Sequence, residues 1–164
     1  MTSPQSEMYS LPSHLIRRLN QICVAQFTTA MSEADLPLTP VQYSVLWAVE
    51  EFPGVDQASV AKQVGYDRAT LGKVVDRLEL KGFVSRVVSK TDRRAREIYL
   101  SEAGKDLLLQ AHPVVLACQD KMLPGVSDEE RAQLVELLAR VAAAANTETT
   151  APILAPLNTQ QAAD

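Results

Sequence analysis

Residues 57–100 read QASVAKQVGYDRATLGKVVDRLELKGFVSRVVSKTDRRAREIYL, and this stretch decides the fold. A first short helix is predicted from apolar residues at helical spacing, and it ends at Gly65, which tolerates a left-handed helix end. Asp67 then offers a carboxylate to cap a second helix. The apolar face of that second helix is predicted to comprise Leu71, Val74, Val75, Leu78 and Leu80. Two short helices joined by a turn with glycine are typical of a helix-turn-helix.

The rest of the stretch predicts a β-hairpin. Residues 83–88 and 97–100 have the composition of short strands, and residues 89–96 (SKTDRRAR) between them carry four cationic side chains. A hairpin with a basic tip that follows a helix-turn-helix is a wing, and the combination predicts contact with duplex DNA. The predicted fold is therefore mainly α-helical with a small β-hairpin wing.

Charge is distributed unevenly along the chain. The whole sequence has 16 basic and 20 acidic residues, a net charge of −4, which argues against nonspecific binding to nucleic acid. Residues 54–100 nevertheless contain ten basic and six acidic residues, so the remaining six basic and fourteen acidic residues lie elsewhere. Because DNA binding is favoured by phosphate neutralisation, the positive module predicts where the duplex lies.

Helical patterns on both sides of this module predict a dimer. One long helix is expected over residues 11–31, another from Thr39-Pro40, a third from Ser101 with a kink at Pro113, and a last one from Ser127. The outer apolar stripes are too wide for one winged domain to cover, so we expect two chains to interdigitate. The predicted regions are a winged helix-turn-helix domain at 37–100, a helical dimerisation region at 1–36 and 101–145, and a disordered tail at 146–164.

The sequence lacks the residues that several classes of protein function require. The only histidines are His14 and His112, the two cysteines are Cys23 and Cys118, and neither a CxxC nor an HExxH motif occurs. A zinc site or a Ser-His-Asp triad needs more than this set, and no glycine-rich phosphate loop is present. We therefore expect no enzyme, no cofactor and no metal. The absence of a long apolar run and of a secretion signal predicts a cytoplasmic protein.

The order of these elements resembles the MarR family of bacterial winged helix-turn-helix transcription regulators over residues 11–145. The matching motifs are QASVAKQVGYDRATLGKVVDRLELKGFVSR and TDRRAREIYLSEAGK. The latter motif resembles the family's wing signature, D-x-R followed by a strand and an L-[ST]-x-x-G turn. The resemblance implies a homodimeric repressor that binds a pseudo-palindromic operator and releases it when a small molecule binds.

The resemblance also assigns residues at the start of the recognition helix, which is the C-terminal helix of the helix-turn-helix. Arg68 suits bidentate contact with guanine, whereas Thr70 and Lys73 suit a phosphate or a thymine methyl group. The candidate DNA contacts of this helix are Arg68, Ala69, Thr70 and Lys73.

In the wing, Arg94 resembles the family arginine that enters the minor groove, and Asp92 would hold it by an ion pair. Deeper in the recognition helix, Arg77 is expected to pair with Asp76 or Glu79 instead of reaching DNA. Further candidate contacts from the wing are Lys90, Arg93 and Arg96, of which one or two are expected to serve only solubility.

The effector is predicted to be a small aromatic carboxylate. The first helix carries a polar stripe near its start, where two arginines are unfavourable for the helix dipole unless an anion binds. Tyr43 and Trp47 lie one turn apart on the next helix, where they would stack against an aromatic ring. The stripe consists of His14, Arg17, Arg18 and Gln21.

Two alternatives stay open. Cys23 would make the protein a peroxide-sensing repressor if its thiol were accessible and acidic, although its apolar position favours a buried structural cysteine. A helical dimer that binds protein partners without DNA is the alternative from another class. The basic module and the D-x-R pair formed by Asp92 and Arg94 argue against it.

Overall fold

The computed structural model describes residues 4–89 and 95–145, and helices dominate this part of the chain. The predicted mainly α-helical fold with a small sheet is confirmed. In chain order the elements are α1 Pro4–Ser10, α2 Pro12–Glu33, α3 Pro40–Glu51, β1 Val55–Asp56, α4 Gln57–Gln63, α5 Arg68–Leu80, β2 Val84–Val88, β3 Arg96–Leu100, α6 Glu102–Met122 and α7 Asp128–Ala145.

Helices α3 and α7 begin where polar side chains satisfy their first backbone N–H groups. Thr39 and Gln42 form a reciprocal capping box at α3, with N–H donors 3.3 and 3.1 Å from the partner side-chain oxygens. Ser127 and Glu130 form another box at α7, where the two N···O distances are 3.3 and 2.7 Å. The helix starts predicted at Thr39-Pro40 and Ser127 are confirmed.

The three strands form one antiparallel sheet with the order β1-β3-β2. In the hairpin, Val84 pairs with Leu100 and Arg86 pairs with Ile98. The first strand was not predicted because two residues are too few to show a period of two, yet Val55 also pairs with Ile98. The buried Ile98 side chain thus lies at the centre of the sheet.

The core lies between the sheet and helices α3, α4 and α5, and it continues to the buried faces of α2 and α6. The prediction that Leu80 belongs to the apolar face of α5 is wrong, because this side chain is 90% exposed. It follows the buried Leu78 by two residues, about 200° around a helix, so the two side chains point in opposite directions. Fully buried side chains of this core include Val45, Leu46, Val49, Val60, Leu71, Val75, Leu78 and Ile98.

The start of α6 is held tightly against the start of β2. The Ser101 hydroxyl donates to the Gly82 carbonyl at 2.6 Å and accepts the Gly104 N–H at 3.0 Å. The Ser101 N–H donates to the Phe83 carbonyl at 3.0 Å. A Cβ atom on Gly104 would lie 2.0 Å from that same carbonyl oxygen, so only glycine fits. The L-S-x-x-G turn therefore fixes α6 to the wing.

The outer helices leave much apolar surface uncovered. Helix α2 packs on α6 and buries Phe27 and Met31 towards the core. In contrast, Leu137 and Val141 of α7 are 50% and 61% exposed. Helix α6 continues through Pro113, and α2 is preceded by the short α1, which was not predicted. No described helix is long and apolar enough to cross a membrane.

Candidate nucleic-acid interface

The first turn of α5 projects from the protein surface. Arg68, Ala69, Thr70 and Lys73 are all exposed, and the structure brings them together at the helix start, as the sequence predicts. The face opposite this turn is buried through Leu71. The exposed turn therefore offers two cations, a methyl group and a hydroxyl to a partner without disturbing the core.

Asp67 and Thr70 form a closed pair at this helix start. The Asp67 carboxylate accepts the Thr70 backbone N–H at 2.9 Å and the Thr70 hydroxyl at 2.6 Å. The hydroxyl bond is the main reason that the pKa of the Asp67 carboxyl lies below its ordinary value, and the backbone bond adds to it. The Thr70 hydroxyl donates its hydrogen bond to Asp67. The Thr70 methyl group is therefore better placed to contact a thymine than the Thr70 hydroxyl is to contact a phosphate.

The turn between α4 and α5 sets their relative orientation. Gly65 adopts a φ of +69°, a left-handed conformation that side chains with a Cβ rarely take. The Tyr66 N–H donates to the Ala61 carbonyl at 3.0 Å, which closes the end of α4. Asp56 caps the other end of α4 through the N–H groups of Ala58 and Ser59. The predicted helix-turn-helix is thus present, with both helices capped.

The wing hairpin extends away from the core along β2 and β3. Its last described rung is the bond from the Ser89 N–H to the Ala95 carbonyl at 3.1 Å. Arg96, which begins β3, is exposed. The predicted contacts Lys90, Asp92, Arg93 and Arg94 lie outside the described residues, so their roles stay predictions.

A network of three charged residues joins β2 to the recognition helix α5, and the sequence did not reveal it. Arg86 contacts the carboxylates of Asp76, at 2.7 Å, and Glu79. The predicted pairing of Arg77 with Asp76 or Glu79 is wrong, since Arg77 has no ion pair among the described residues. Arg86 pairs with both carboxylates because β2 places it against α5, whereas the Arg77 side chain is exposed to solvent. The signal in the sequence that could have predicted this network was an arginine placed two residues after Val84, a buried residue of the same strand.

Another cluster lies between α3 and α6 and consists of aromatic rings. The Tyr43 hydroxyl is 2.8 Å from His112 Nδ1, and Trp47 stacks on the same imidazole at a centroid distance of 4.7 Å. Burial raises the pKa of the Tyr43 hydroxyl, so it keeps its proton. Trp47 is 43% exposed, which leaves part of the cluster open to a ligand. His112 was not predicted as a member, because it lies 69 residues from Tyr43 in the chain.

Comparison with known proteins decides the family. A model of the MarR family matches residues 36–95. The PcaV transcriptional regulator from Streptomyces coelicolor, solved in complex with its natural ligand, is 32% identical with a TM-score of 0.78; the match covers 88% of this chain and 99% of that chain. The chain belongs to the MarR family.

Two further solved MarR-like structures extend the comparison. BpsR from Bordetella bronchiseptica, whose DNA binding is regulated by 6-hydroxynicotinic acid, is 27% identical with a TM-score of 0.77, over 82% of this chain and 94% of that chain. The transcriptional repressor CouR, solved on a 23-mer DNA duplex, is 26% identical with a TM-score of 0.77, over 87% of this chain and 99% of that chain. These neighbours are DNA-binding regulators, as the MarR assignment requires.

The predicted effector residues fall into two groups in this MarR-family chain. Tyr43 and Trp47 belong to the aromatic cluster, whereas His14, Arg17 and Arg18 lie on the first half of α2. Arg17 and Arg18 are exposed, and no hydrogen bond or ring contact joins the two groups among the described residues. The edge of the Tyr9 ring meets His14 at a centroid distance of 5.4 Å.

The cysteines contact the core. Cys118 of α6 is buried, and burial raises the pKa of its thiol. Cys23 is half-buried and packs against the core of the same chain. The position of Cys23 agrees with a structural role, and its reaction with peroxide stays a hypothesis.

Proposed function

We propose that this MarR-family chain is a repressor that binds a pseudo-palindromic operator as a homodimer and releases it on binding a small aromatic carboxylate. The observation that carries the DNA-binding part is the exposed first turn of α5, where Arg68 and Lys73 project from a helix capped by Asp67. A cationic turn at a helix start fits the major groove, where arginine recognises guanine.

The proposed dimer is supported by apolar side chains that one chain leaves exposed. Helix α7 presents Leu137, Leu138 and Val141 on one face, at 50%, 46% and 61% exposure. Such a stripe on an outer helix marks an interface, because soluble monomers rarely expose large contiguous apolar patches. A further copy of the chain is the simplest partner, since twofold symmetry would place two α5 helices about 34 Å apart, one turn of duplex.

Two groups of residues support the proposed effector class: the arginines on the first half of α2, and the aromatic cluster that contains Tyr43 and Trp47. Arg17 and Arg18 are exposed cations suited to a carboxylate, and Trp47 offers a partly open ring face. The regulation of BpsR by 6-hydroxynicotinic acid, an aromatic carboxylate, adds weight by family relationship.

Operator binding is tested with DNA fragments that flank the chain's own reading frame. Fluorescence anisotropy should show binding in low salt, with affinity falling as salt rises. Arg68→Ala should weaken binding about tenfold or more, as expected when a bidentate base contact is removed. Arg77→Ala, an exposed change deeper in the same helix, is the matched control and should bind nearly as the wild type does. Equal losses for both variants would contradict the proposal.

Effector binding is tested through the intrinsic fluorescence of Trp47, the only tryptophan in the chain. Titration with substituted benzoates and 6-hydroxynicotinate should change the emission and release labelled operator over the same concentration range. A variant with Arg17→Gln and Arg18→Gln should lose most of the response, whereas Glu33→Gln, an exposed change at the other end of α2, should retain it. No emission change and no release with any acid of the panel would end the effector proposal and leave DNA binding standing.

A further inference from the structure

The wing and the recognition helix are joined by the guanidinium of Arg86, a residue in the middle of β2. Its Nη2 atom lies 2.7 Å from Asp76 Oδ1, and its Nε atom donates to Glu79 Oε2 at 2.9 Å. Nη2 also contacts Glu79, and the Arg86 backbone N–H donates to Glu79 Oε1 at 3.2 Å. Glu79 therefore accepts from both the side chain and the backbone of one residue. Such a fork fixes orientation as well as distance.

The surroundings of this network distinguish it from a surface ion pair. The Arg86 side chain is only 25% exposed, and it lies two residues after Val84, which is buried in the core. Further along β2, Val87 and Val88 are 49% and 44% exposed. The guanidinium therefore lies where the buried part of the wing gives way to its exposed part.

The charge of Arg86 is already neutralised within the protein. Two carboxylates face one guanidinium, so the three residues together carry a net negative charge. Hydrogen bonding to Arg86 lowers the pKa of the Glu79 carboxyl, and both acids raise the pKa of Arg86, with Glu79 contributing most. Although Arg86 counts among the basic residues of the DNA-facing module, its Nε and Nη2 groups contact carboxylates of α5 and are not free for phosphate.

We infer that Arg86 is a positioning residue for operator binding. It holds strands β2 and β3 at a fixed angle to α5 through Asp76 and Glu79, so that these strands and the recognition helix meet the duplex as one rigid unit. Because β2 pairs with β3 along its whole length, the position of Arg86 also sets the position of β3, the strand that leads back from the tip. The inference rests on the proposed operator binding and adds to it a residue that acts without touching DNA.

The first test separates positioning from phosphate contact through the salt dependence of binding. Arg86→Met should weaken operator binding about tenfold while leaving the slope of log K against log salt unchanged, since the number of neutralised phosphates stays the same. Lys73→Met is the matched control and should lower the slope by about 0.9 for each phosphate that is no longer neutralised, or about 1.8 for a dimer. A slope change for Arg86→Met equal to that of Lys73→Met would overturn the inference.

A double-mutant test asks whether Arg86 acts through the wing. If it places the predicted minor-groove residue Arg94, then Arg86→Met should cost less than about twofold in an Arg94→Ala background, because coupled residues are not additive. Arg86→Lys, which keeps the charge and loses the fork, should behave closer to Arg86→Met than to the wild type. Additive losses, or full rescue by lysine, would contradict positioning by the fork.

The third test needs no DNA and therefore stands apart from the proposed function. Hydrogen exchange of the free protein should be faster in strands β2 and β3 of Arg86→Met, while α3 and the buried part of α6 exchange as in the wild type. Unchanged exchange in the wing would overturn the inference even if the operator proposal holds. If the wild-type protein binds no flanking DNA, the operator proposal fails, and wing exchange still decides whether Arg86 fixes the wing.

Discussion

The substitution Gly104→Ala should destabilise the protein through a single contact. A Cβ atom at this position would lie 2.0 Å from the Phe83 carbonyl oxygen and 3.0 Å from its carbon. Neither atom is the end of a flexible side chain, so backbone must move by roughly 1 Å to restore van der Waals separation. That carbonyl also accepts the Ser101 N–H at 3.0 Å, so the movement stretches the bond that ties α6 to β2.

The magnitude follows from these contacts. Overpacking of a tight site costs about 1–3 kcal/mol, and weakening the Ser101 bond adds up to about 1 kcal/mol. The helix preference of alanine over glycine returns up to about 1 kcal/mol. The net loss in the free energy of unfolding should be about 2 kcal/mol, which lowers a urea midpoint by about 1 M for a slope near 2 kcal/mol/M.

Urea unfolding followed by circular dichroism measures this loss, with all variants at one protein concentration because a dimer's stability depends on it. Gly72→Ala is the matched control, since its Cβ would meet only the flexible Gln57 side chain, at 3.3 Å. That variant should be unchanged or more stable by up to about 1 kcal/mol. If Gly104→Ala were as stable as Gly72→Ala, the tight packing of α6 on Phe83 would be refuted.

Three further predictions concern other contacts. Asp56→Asn should flatten the acid side of the stability profile, because hydrogen bonding, first of all from Ser59, lowers the pKa of the Asp56 carboxyl. The contribution of Asp56 to the free energy of unfolding is complete above about pH 4 and is lost as pH falls through the depressed pKa. Measuring the urea midpoint of both proteins across the acid range would show the difference. Tyr43→Phe should cost about 1 kcal/mol in thermal unfolding by removing the hydrogen-bond partner of His112 Nδ1. Leu137→Lys should weaken dimerisation about tenfold or more in sedimentation, and an unchanged dimer would exclude α7 from the interface.

Local sequence signals predicted the winged domain well because capping and turn residues act on their own neighbours. Asp67, Thr39 and Ser127 start their helices through bonds to residues at most three positions away. Gly65 ends α4 through its own backbone freedom. Such determinants are readable from a single sequence because no distant partner is involved.

Contacts between distant residues were out of reach. The ring cluster of Tyr43 and His112 spans 69 positions, and nothing in the local pattern of either residue points to the other. Arg86 pairs with the two carboxylates that were predicted as partners of Arg77, because the path of β2 over α5 is a property of the fold. Leu80 was misplaced for a simpler reason, since its spacing from Leu78 does not fit a helical face.

The central claim of the proposed function is that two copies of this chain bind one duplex through α5 and the wing. Sedimentation of the wild-type protein with a fluorescent fragment of its flanking DNA, in low salt, measures the stoichiometry directly. We predict two chains per duplex, with the complex lost in Arg68→Ala and weakened as salt rises. A monomeric chain on the duplex, or free DNA at every protein concentration, would contradict this central claim.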